Sequence, residues 1–400
     1  IHFNPAGVGD IDRPTLAIYG HAGVLSRWLA RTGELGPVER RGVYGWGISI
    51  ASPLPGPAWL RRVRLGGAST WMMRSPGIWI APVRADTPVA PFYDDRTQRT
   101  SATFALGVDL PWNLRFGVAM SVHPNLVAPT YVTFDPSRGE DVDAGVAIEQ
   151  GRRLTLDASF ALGARVQPIP ELAIGLAWRQ GGATRASGDF TIEAGAVLVE
   201  DGYRYYDFAS PEEVVLGVAV YPVPELGVSL DVEWARWSGF RTIFEEVPDP
   251  AFSDVLNARA GVEWLARRGV AIRGGYGFEP TPVPPQVGST NYLDATRHVI
   301  AFGLGVDLEA LASFPMRIDV AFRFHVLEAQ SATKSALADA DPSVPGNQIV
   351  NFGYPGIASR MSYEQVSLTV SFPLGPVVTV EETGTETGTE TGTETGTETG

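Results

Sequence analysis

The connections between strand-like segments alternate between short and long along this chain, and that alternation is what most limits its fold. The short connections, such as 52–57 and 109–113, are tight and carry proline. The long ones, such as 124–151 and 184–211, are polar. A transmembrane β-barrel keeps its short turns at one end and its long loops at the other. A water-soluble sheet has no reason to separate its connections in this way, so the alternation favours a barrel.

Fourteen segments read as strands, and most have about the length that a tilted strand needs to cross the hydrocarbon layer. The number is even, as is usual for bacterial single-chain barrels. The segments are 14–22, 43–53, 60–72, 98–109, 113–123, 152–166, 171–183, 212–221, 226–238, 255–265, 269–278, 296–307, 315–328 and 362–372. The predicted fold class is all-β, a 14-stranded antiparallel transmembrane β-barrel.

Apolar residues recur at every second position of these segments, which gives each segment two different faces. In the twelfth segment Ile300, Phe302 and Leu304 share one face, whereas Ala301 and Gly303 take the other. An apolar outer face suits lipid, and an inner face of small and charged residues suits a barrel lumen. A soluble β-sandwich has the same period but buries its apolar face in a core, so this alternative stays open.

Composition limits the other classes of function. The chain has no stretch of 18 apolar residues, which excludes a spanning helix. It has no cysteine, which excludes disulfides and thiol chemistry, and its net charge of −14 argues against nucleic-acid binding. We expect no enzyme, metal or cofactor, because the five histidines lack metal-ligand spacing: His2, His21, His123, His298 and His325.

Three stretches carry motifs in a fixed order. They are Asn4-Pro5-Ala6-Gly7 with the following DRPTLAIYG, then SPEEVVLGVAVYPVPELGVSLDVEWARWSGF (210–240), then GGYGFEPTPVPPQ (274–286) with LDATRHVIAFGLG (293–305). These stretches resemble the FadL/TodX-like outer-membrane transporters of long-chain fatty acids and hydrocarbons. In that family they form the segment joining plug to barrel, the eighth and ninth strands, and a Pro-Val-Pro loop with the strand after it. The resemblance covers essentially all of 1–372.

The resemblance implies a domain organisation. An N-terminal hatch folds into the lumen in this family, and here 1–13 is expected to be the remnant of a mostly missing hatch. The barrel is expected at 14–373. A disordered TGTE-repeat tail follows at 374–400, because such a composition cannot bury a core. The resemblance assigns the hatch hinge to Asn4, Pro5 and Ala6.

Paired glycines lie midway along the third segment, at Gly66 and Gly67. Glycines inside a strand weaken its pairing and mark bends or bulges. The resemblance implies a lateral gate at this place, through which substrate leaves sideways. Barrel curvature or close packing against a plug would explain the same pair.

Two groups of apolar loop residues are candidates for ligand capture. The second long loop is unusually apolar for an exposed connection, and exposed apolar patches often mark binding sites; its candidates are Trp71, Met72, Met73, Trp79 and Phe92. The resemblance points more to the third and fourth loops, with the candidates Leu126, Val127, Tyr131, Phe134, Val197 and Leu198. Covering of the barrel mouth, or contact with the bilayer interface, is the alternative role for the residues of the second loop.

Many charged residues fall on the inner faces, where most are expected to pair with one another. A fatty carboxylate would require an arginine, since charge-assisted hydrogen bonds from a guanidinium are strong. The candidates for headgroup binding are Arg259, Arg273 and Arg323.

Together these features predict an outer-membrane transport protein of a Gram-negative bacterium that takes up hydrophobic compounds passively. Loops would capture long-chain fatty acids or aromatic hydrocarbons, a lumen pocket would hold them, and release would be lateral. The expected partners are membrane lipid, the hydrophobic substrate and the barrel-assembly machinery, with the protein a monomer. A general porin or structural barrel is the main alternative, and a soluble β-rich binding protein is a third.

Overall fold

The computed structural model describes most of the chain, and the statements below refer to this part of it. The described residues are 4–31, 34–35, 39–57, 60–72, 101–127, 130–134, 146–151, 153–194, 197–242, 245–287, 290, 292–334, 337–339, 348–350 and 354–375.

Fourteen antiparallel strands form one closed ring. Each strand pairs with its neighbours along the chain, and the first, β1 (Thr15–Arg31), pairs with the last, β14 (Gly356–Pro373). Between them lie β2 (Glu39–Pro53), β3 (Val63–Met72), β4 (Ser101–Leu110), β5 (Leu114–Val127), β6 (Arg153–Ile169), β7 (Leu172–Arg179), β8 (Glu212–Val223), β9 (Leu226–Arg236), β10 (Val255–Arg267), β11 (Val270–Glu279), β12 (Arg297–Asp307) and β13 (Arg317–Leu327). The predicted fold class is confirmed.

Short connections lie at one end of the ring and long ones at the other. The short β12–β13 connection holds the helix α1 (Leu308–Ala312), which begins where the Asp307 carboxylate accepts the Glu309 and Ala310 N–H groups at 3.0 and 3.2 Å. A 3₁₀ turn precedes β3. Smaller elements of the connections are the 3₁₀ turns Leu60–Arg62 and Trp237–Gly239 and the strands Glu34–Leu35, Thr130–Phe134, Val146–Gln150, Gly182–Ala194, Val197–Ser210, Gln330–Thr333, Leu337–Asp339 and Gln348–Val350.

No helix within the described residues has both the length and the apolar character needed to span a membrane.

Large apolar side chains stand exposed on the outer face of the ring, as the two-residue period predicts. Phe302 is 57 % exposed and Leu230 is 55 % exposed, whereas inward-facing Ala105 and Ala177 are buried. A water-soluble protein would not leave a continuous apolar belt of this kind in water. The outer face is therefore the lipid-facing surface, and the inner face lines a lumen.

Several strands extend further toward the long connections than the sequence pattern predicts. β1 continues to Arg31 rather than ending near residue 22, and β14 begins at Gly356 rather than near residue 362. The long polar connection after β7 forms a hairpin from the strands Gly182–Ala194 and Val197–Ser210. Side-chain polarity marks where lipid ends, but backbone groups continue to pair beyond that level because pairing satisfies their hydrogen bonds.

Replacing Phe302 by arginine is expected to destabilise the barrel by about 2–4 kcal/mol, because it puts a charge on the lipid-facing side midway along β12. The matched control is Ala321→Arg, which places the same side chain on the inner face beside Gly303 and Ser367. Unfolding by guanidinium in lipid vesicles measures both. An equal loss for the two variants would contradict the assignment of faces.

Candidate functional site

The N-terminal segment lies inside the ring, against the inner faces of β3 to β6. It forms a 3₁₀ helix over Pro5–Asp10. Asn4 caps this helix, since its side-chain oxygen accepts the Ala6 N–H at 2.9 Å. The Asn4 amide also donates to the backbone oxygens of Ala164 and Leu176, at 3.2 and 3.3 Å. One side chain thus shapes the segment and ties it to the barrel wall.

Three glycines in a row on the barrel wall leave the space in which the N-terminal segment lies. Gly107, Gly117 and Gly163 are directly opposite one another on β4, β5 and β6. A Cβ atom at Gly117 would stand 2.2 Å from the Pro5 carbonyl carbon, and one at Gly163 would stand 2.0 Å from Asn4 Oδ1. The row is therefore a groove in the wall that only glycine leaves open.

Beside the groove, Val8 packs on Ala105, Ala119 and Ala161 in a small apolar cluster. These alanines lie on the same inner faces as the three glycines, and their small side chains extend the groove. The segment is thus held by close contact with small residues, as well as by hydrogen bonds.

Charged residues anchor the far end of the segment near the short connections. Asp10 forms ion pairs with Arg115 and Arg165, which lie on neighbouring strands. Arg64 donates from Nε to the Ile11 carbonyl oxygen at 2.9 Å and is itself buried in the wall. The segment therefore occupies the lumen at the short-connection end.

Arg13 continues this anchoring outside the lumen. It pairs with Glu309 of α1, with Nη1 to Oε1 at 2.9 Å. The hydrogen bond from Arg13 lowers the pKa of the Glu309 carboxyl.

The long-connection end of the lumen is covered from a different part of the chain. In the connection between β11 and β12, Leu293 and Ala295 pack on the inward-facing Leu25 and Met361. Asp294 lies between them without solvent exposure and accepts a hydrogen bond from the Thr281 hydroxyl at 2.6 Å. Burial raises the pKa of the Asp294 carboxyl. The lumen thus carries chain segments at both ends.

Arg259 and Arg273, two of the predicted headgroup ligands, are already engaged by carboxylates. Arg259 donates to Glu233 and to Glu279, both at 2.9 Å. Arg273 donates to Glu263 at 2.5 Å and to Asp319 at 2.8 Å. Each guanidinium therefore has its preferred type of partner within the wall.

The third predicted headgroup ligand, Arg323, is placed differently. It alternates with the lipid-facing Phe322 and Phe324, so it points into the lumen, where it is exposed. Its cross-strand neighbours are Ala301 and Gln365. Within the described residues its guanidinium makes no hydrogen bond or ion pair. Of the three arginines, it is the one with donors left for a ligand.

The other predicted ligand residues lie in the long connections or at the strand ends next to them. Tyr131 is half exposed at 49 % in the short strand Thr130–Phe134. Trp71 and Met72 end β3, and Leu126 and Phe134 lie in paired strands, but the structure describes only the backbone of these four. Met73, Trp79 and Phe92 lie outside the described residues.

The predicted lateral gate lies in regular sheet. Gly66 and Gly67 of β3 pair with Ala51 and Ile50 on one side and with Ala105 and Phe104 on the other. Neither pairing shifts its register at the glycines. Their role as a gate stays a prediction.

The residues that sequence reasoning missed are those that hold the N-terminal segment. The signal was available in part: glycine and alanine recur at the inward positions of the fourth, fifth and sixth predicted strands. Whether these small residues lie directly opposite one another depends on the register between strands, which the sequence of a single strand does not reveal.

Comparison with known proteins supports the fold. The chain resembles the crystal structure of a Pseudomonas aeruginosa FadL homologue, with a TM-score of 0.62, 13 % identity and 92 % of each chain covered. It also resembles the toluene transporter TodX of P. putida, with a TM-score of 0.53, 12 % identity and 93 % of each chain covered. The barrel therefore has the FadL-type fold, which is the fold of an outer-membrane barrel.

Similarity in sequence is weaker and partial. Alkane uptake protein A of Marinobacter nauticus (strain ATCC 49840 / DSM 8798 / CIP 103578 / SP17) is 22 % identical over 175 residues. The match covers 38 % of this chain and 38 % of that protein. No family model matches the chain.

Replacing Gly117 by alanine is expected to displace the N-terminal segment, because the new Cβ would overlap the Pro5 carbonyl carbon at 2.2 Å. Hydrogen exchange at the Ala6 and Gly7 amides should rise by about 10-fold, which corresponds to about 1.4 kcal/mol of lost docking free energy. Gly67→Ala is the control, since its Cβ would meet nothing nearer than 4.0 Å. Unchanged exchange in Gly117→Ala would mean that the groove does not hold the segment.

Proposed function

We propose that this protein is an outer-membrane transport protein for the passive uptake of hydrophobic compounds in a Gram-negative bacterium. The observation that carries the proposal is the N-terminal segment seated in its glycine groove. A barrel that kept a wide aqueous pore would gain nothing from three aligned glycines that admit a chain segment into its lumen. The general porin is therefore the weaker alternative.

The names of the similar proteins point the same way. TodX is a toluene transporter, and the Marinobacter protein is an alkane uptake protein. Both cargoes are apolar, and loop capture followed by passage through the lumen would suit such molecules. The driving force would be the concentration gradient of the substrate. The protein would act as a monomer surrounded by membrane lipid, after insertion by the barrel-assembly machinery.

Arg323 supports an amphiphilic substrate with an acidic headgroup. Its guanidinium is exposed to the lumen and has no partner among the described residues, whereas Arg259 and Arg273 are held by carboxylates. The nearby His325 and Tyr363 rings, with centroids 5.3 Å apart, give the same inner face an aromatic surface. A long-chain fatty acid offers both a carboxylate and an apolar chain, so it is the substrate class that this face fits best.

The experiment is uptake by intact Gram-negative cells that produce the protein, because their outer leaflet of lipopolysaccharide slows hydrophobic molecules. A labelled long-chain fatty acid should enter faster than in cells without the protein, and a small sugar should not. Sugar leakage without fatty-acid uptake would favour the porin.

Arg323→Ala is expected to raise the half-saturating concentration for the fatty acid by at least about 10-fold, because a hydrogen bond to a charged group contributes about 1.5–3 kcal/mol. Uptake of an alkane, which has no carboxylate, should be unchanged. Arg268→Ala, in the exposed β10–β11 turn, controls for the lost charge. An equal effect on both cargoes would refute headgroup binding at Arg323.

A further inference from the structure

A cavity of about 560 Å³ lies at the long-connection end of the barrel wall. The strands β5, β6, β8 and β9 line it, together with residues next to the ends of β7, β8 and β9. Its volume falls within the range of about 300–1,000 Å³ that is typical of small-molecule sites. The residues around it are mainly polar or charged, which sets it apart from the apolar surfaces that suit an alkane.

The charged groups around the cavity balance one another within the described part of the chain. Two carboxylates line it, those of Asp157 and Glu212, and so do two guanidinium groups, those of Arg236 and Arg241. Arg236 pairs with Glu212 at 3.3 Å. A site for phosphate or for a fatty carboxylate presents arginines to its anion, whereas an anion here would also meet two carboxylates. The balance favours a ligand without net charge.

Polar side chains around the cavity have hydrogen-bonding capacity left for a ligand. Gln180 Oε1 accepts the Phe160 N–H at 3.3 Å, which orients the amide and leaves its NH₂ group unused by the described residues. Arg241 Nη1 donates to the Phe240 carbonyl oxygen at 2.8 Å, and its Nε and Nη2 groups make no hydrogen bond to any residue that the structure describes. The Glu212 carboxylate is an acceptor. A hydroxyl group both donates and accepts, so a ligand with several hydroxyls can use groups of both kinds.

Two aromatic rings, those of Trp237 and Phe240, line the same cavity. Their centroids are 6.3 Å apart and their planes are tilted by 50°. Phe240 stacks on Phe252 with centroids 4.5 Å apart and meets the edge of Tyr292 at 5.6 Å, so its ring is held in place. Aromatic faces carry partial negative charge, which attracts the C–H groups on the face of a sugar ring. Apolar surface beside groups that bind hydroxyls is the combination that a sugar requires.

The cavity lies at the height where the apolar belt ends. On β7 the outward-facing Trp178 donates its indole N–H to the Glu212 carboxylate at 2.8 Å. Tryptophan with one polar contact is typical of the membrane interface. Further along β8 and β9, Leu216 and Val232 belong to the exposed apolar belt. The cavity is therefore level with the lipid headgroups. In the outer membrane of the proposed function, sugars reach this level either as part of lipopolysaccharide or from the surrounding water.

We propose that this cavity is a binding site for a neutral sugar ring, which packs on Trp237 and Phe240. Its hydroxyl groups form hydrogen bonds with Gln180, Arg241 and Glu212. The site does not rest on the proposed uptake, because a sugar held at the rim need not pass through the lumen. Failure of fatty-acid uptake would therefore leave it intact, and absence of sugar binding would leave the proposed function intact.

Saturation-transfer NMR tests the site with the whole protein in dodecyldimethylamine oxide, a detergent without sugar. The probes are maltose, galactose, mannose and the dephosphorylated core oligosaccharide of rough lipopolysaccharide, and transfer to the ring protons of at least one of them is expected. Gln180 is exposed, and Gln180→Ala should weaken binding of that probe about 3–10-fold, the contribution of one hydrogen bond. Gln330→Ala removes the same amide from the strand Gln330–Thr333, away from the cavity, and is the matched control.

A second pair of variants tests the aromatic surface. Trp237→Ala should weaken binding of the same probe about 5-fold, and Trp237→Phe, which keeps a ring, should restore most of the affinity. Faster migration of unheated protein on a denaturing gel shows that each variant keeps the folded barrel. Absence of transfer to every probe, or an affinity that neither Gln180→Ala nor Trp237→Ala lowers, would overturn the site.

A dye in the cavity distinguishes the two sources of the sugar. Gly239 lines the cavity, and a Cβ atom there would meet nothing within 4 Å. The chain has no cysteine, so the thiol of Gly239→Cys is unique and can carry an environment-sensitive dye. The emission should shift when rough lipopolysaccharide enters the vesicles if the source is lipid, and when the NMR-positive sugar is added to phospholipid vesicles if the source is water. Ser331→Cys, exposed outside the cavity, is the control, and absence of both shifts would contradict the proposal.

Discussion

Backbone hydrogen bonding in a medium without water is the constraint on which this structure depends. Every N–H and C=O group at membrane depth needs a partner from the protein, and a closed ring of strands provides one for each. Here the pairing of β1 with β14 closes the ring over its whole length. Closure fixes which residues face lipid and which face the lumen, and the lumen residues then decide what can pass.

Small and charged residues of the inner wall have two different roles in different parts of the barrel. On β4 to β6, glycines and alanines let the N-terminal segment lie directly on the wall. On β7 to β13, arginines and carboxylates satisfy each other across strands, as in the Glu233–Arg259–Glu279 group. Buried charges in such a group are costly to leave alone. Removing one member would therefore disturb the wall itself, which sets these arginines apart from Arg323.

The sequence predicts the barrel well because the relevant signals are local. A two-residue period reports the two faces of β9 or β12 directly, and short proline-bearing connections report the turns. Pairing between distant residues is not local. Whether Arg273 meets Glu263 and Asp319, or whether Gly107, Gly117 and Gly163 are level, depends on register set by the whole ring. β7 likewise ends at Arg179, whereas its apolar pattern predicted a strand that continues to residue 183.

The strands also differ in length, so the barrel wall is taller on one side than on the other. β1 has 17 residues and β7 has 8. At about 3.3 Å per residue and a tilt of about 40°, β1 rises roughly 40 Å and β7 roughly 20 Å, against an apolar band of about 25 Å. The rim is therefore tall at the β1–β14 seam and low at β7. The wall at the β1–β14 seam therefore extends well beyond the apolar band, whereas β7 by itself is shorter than that band.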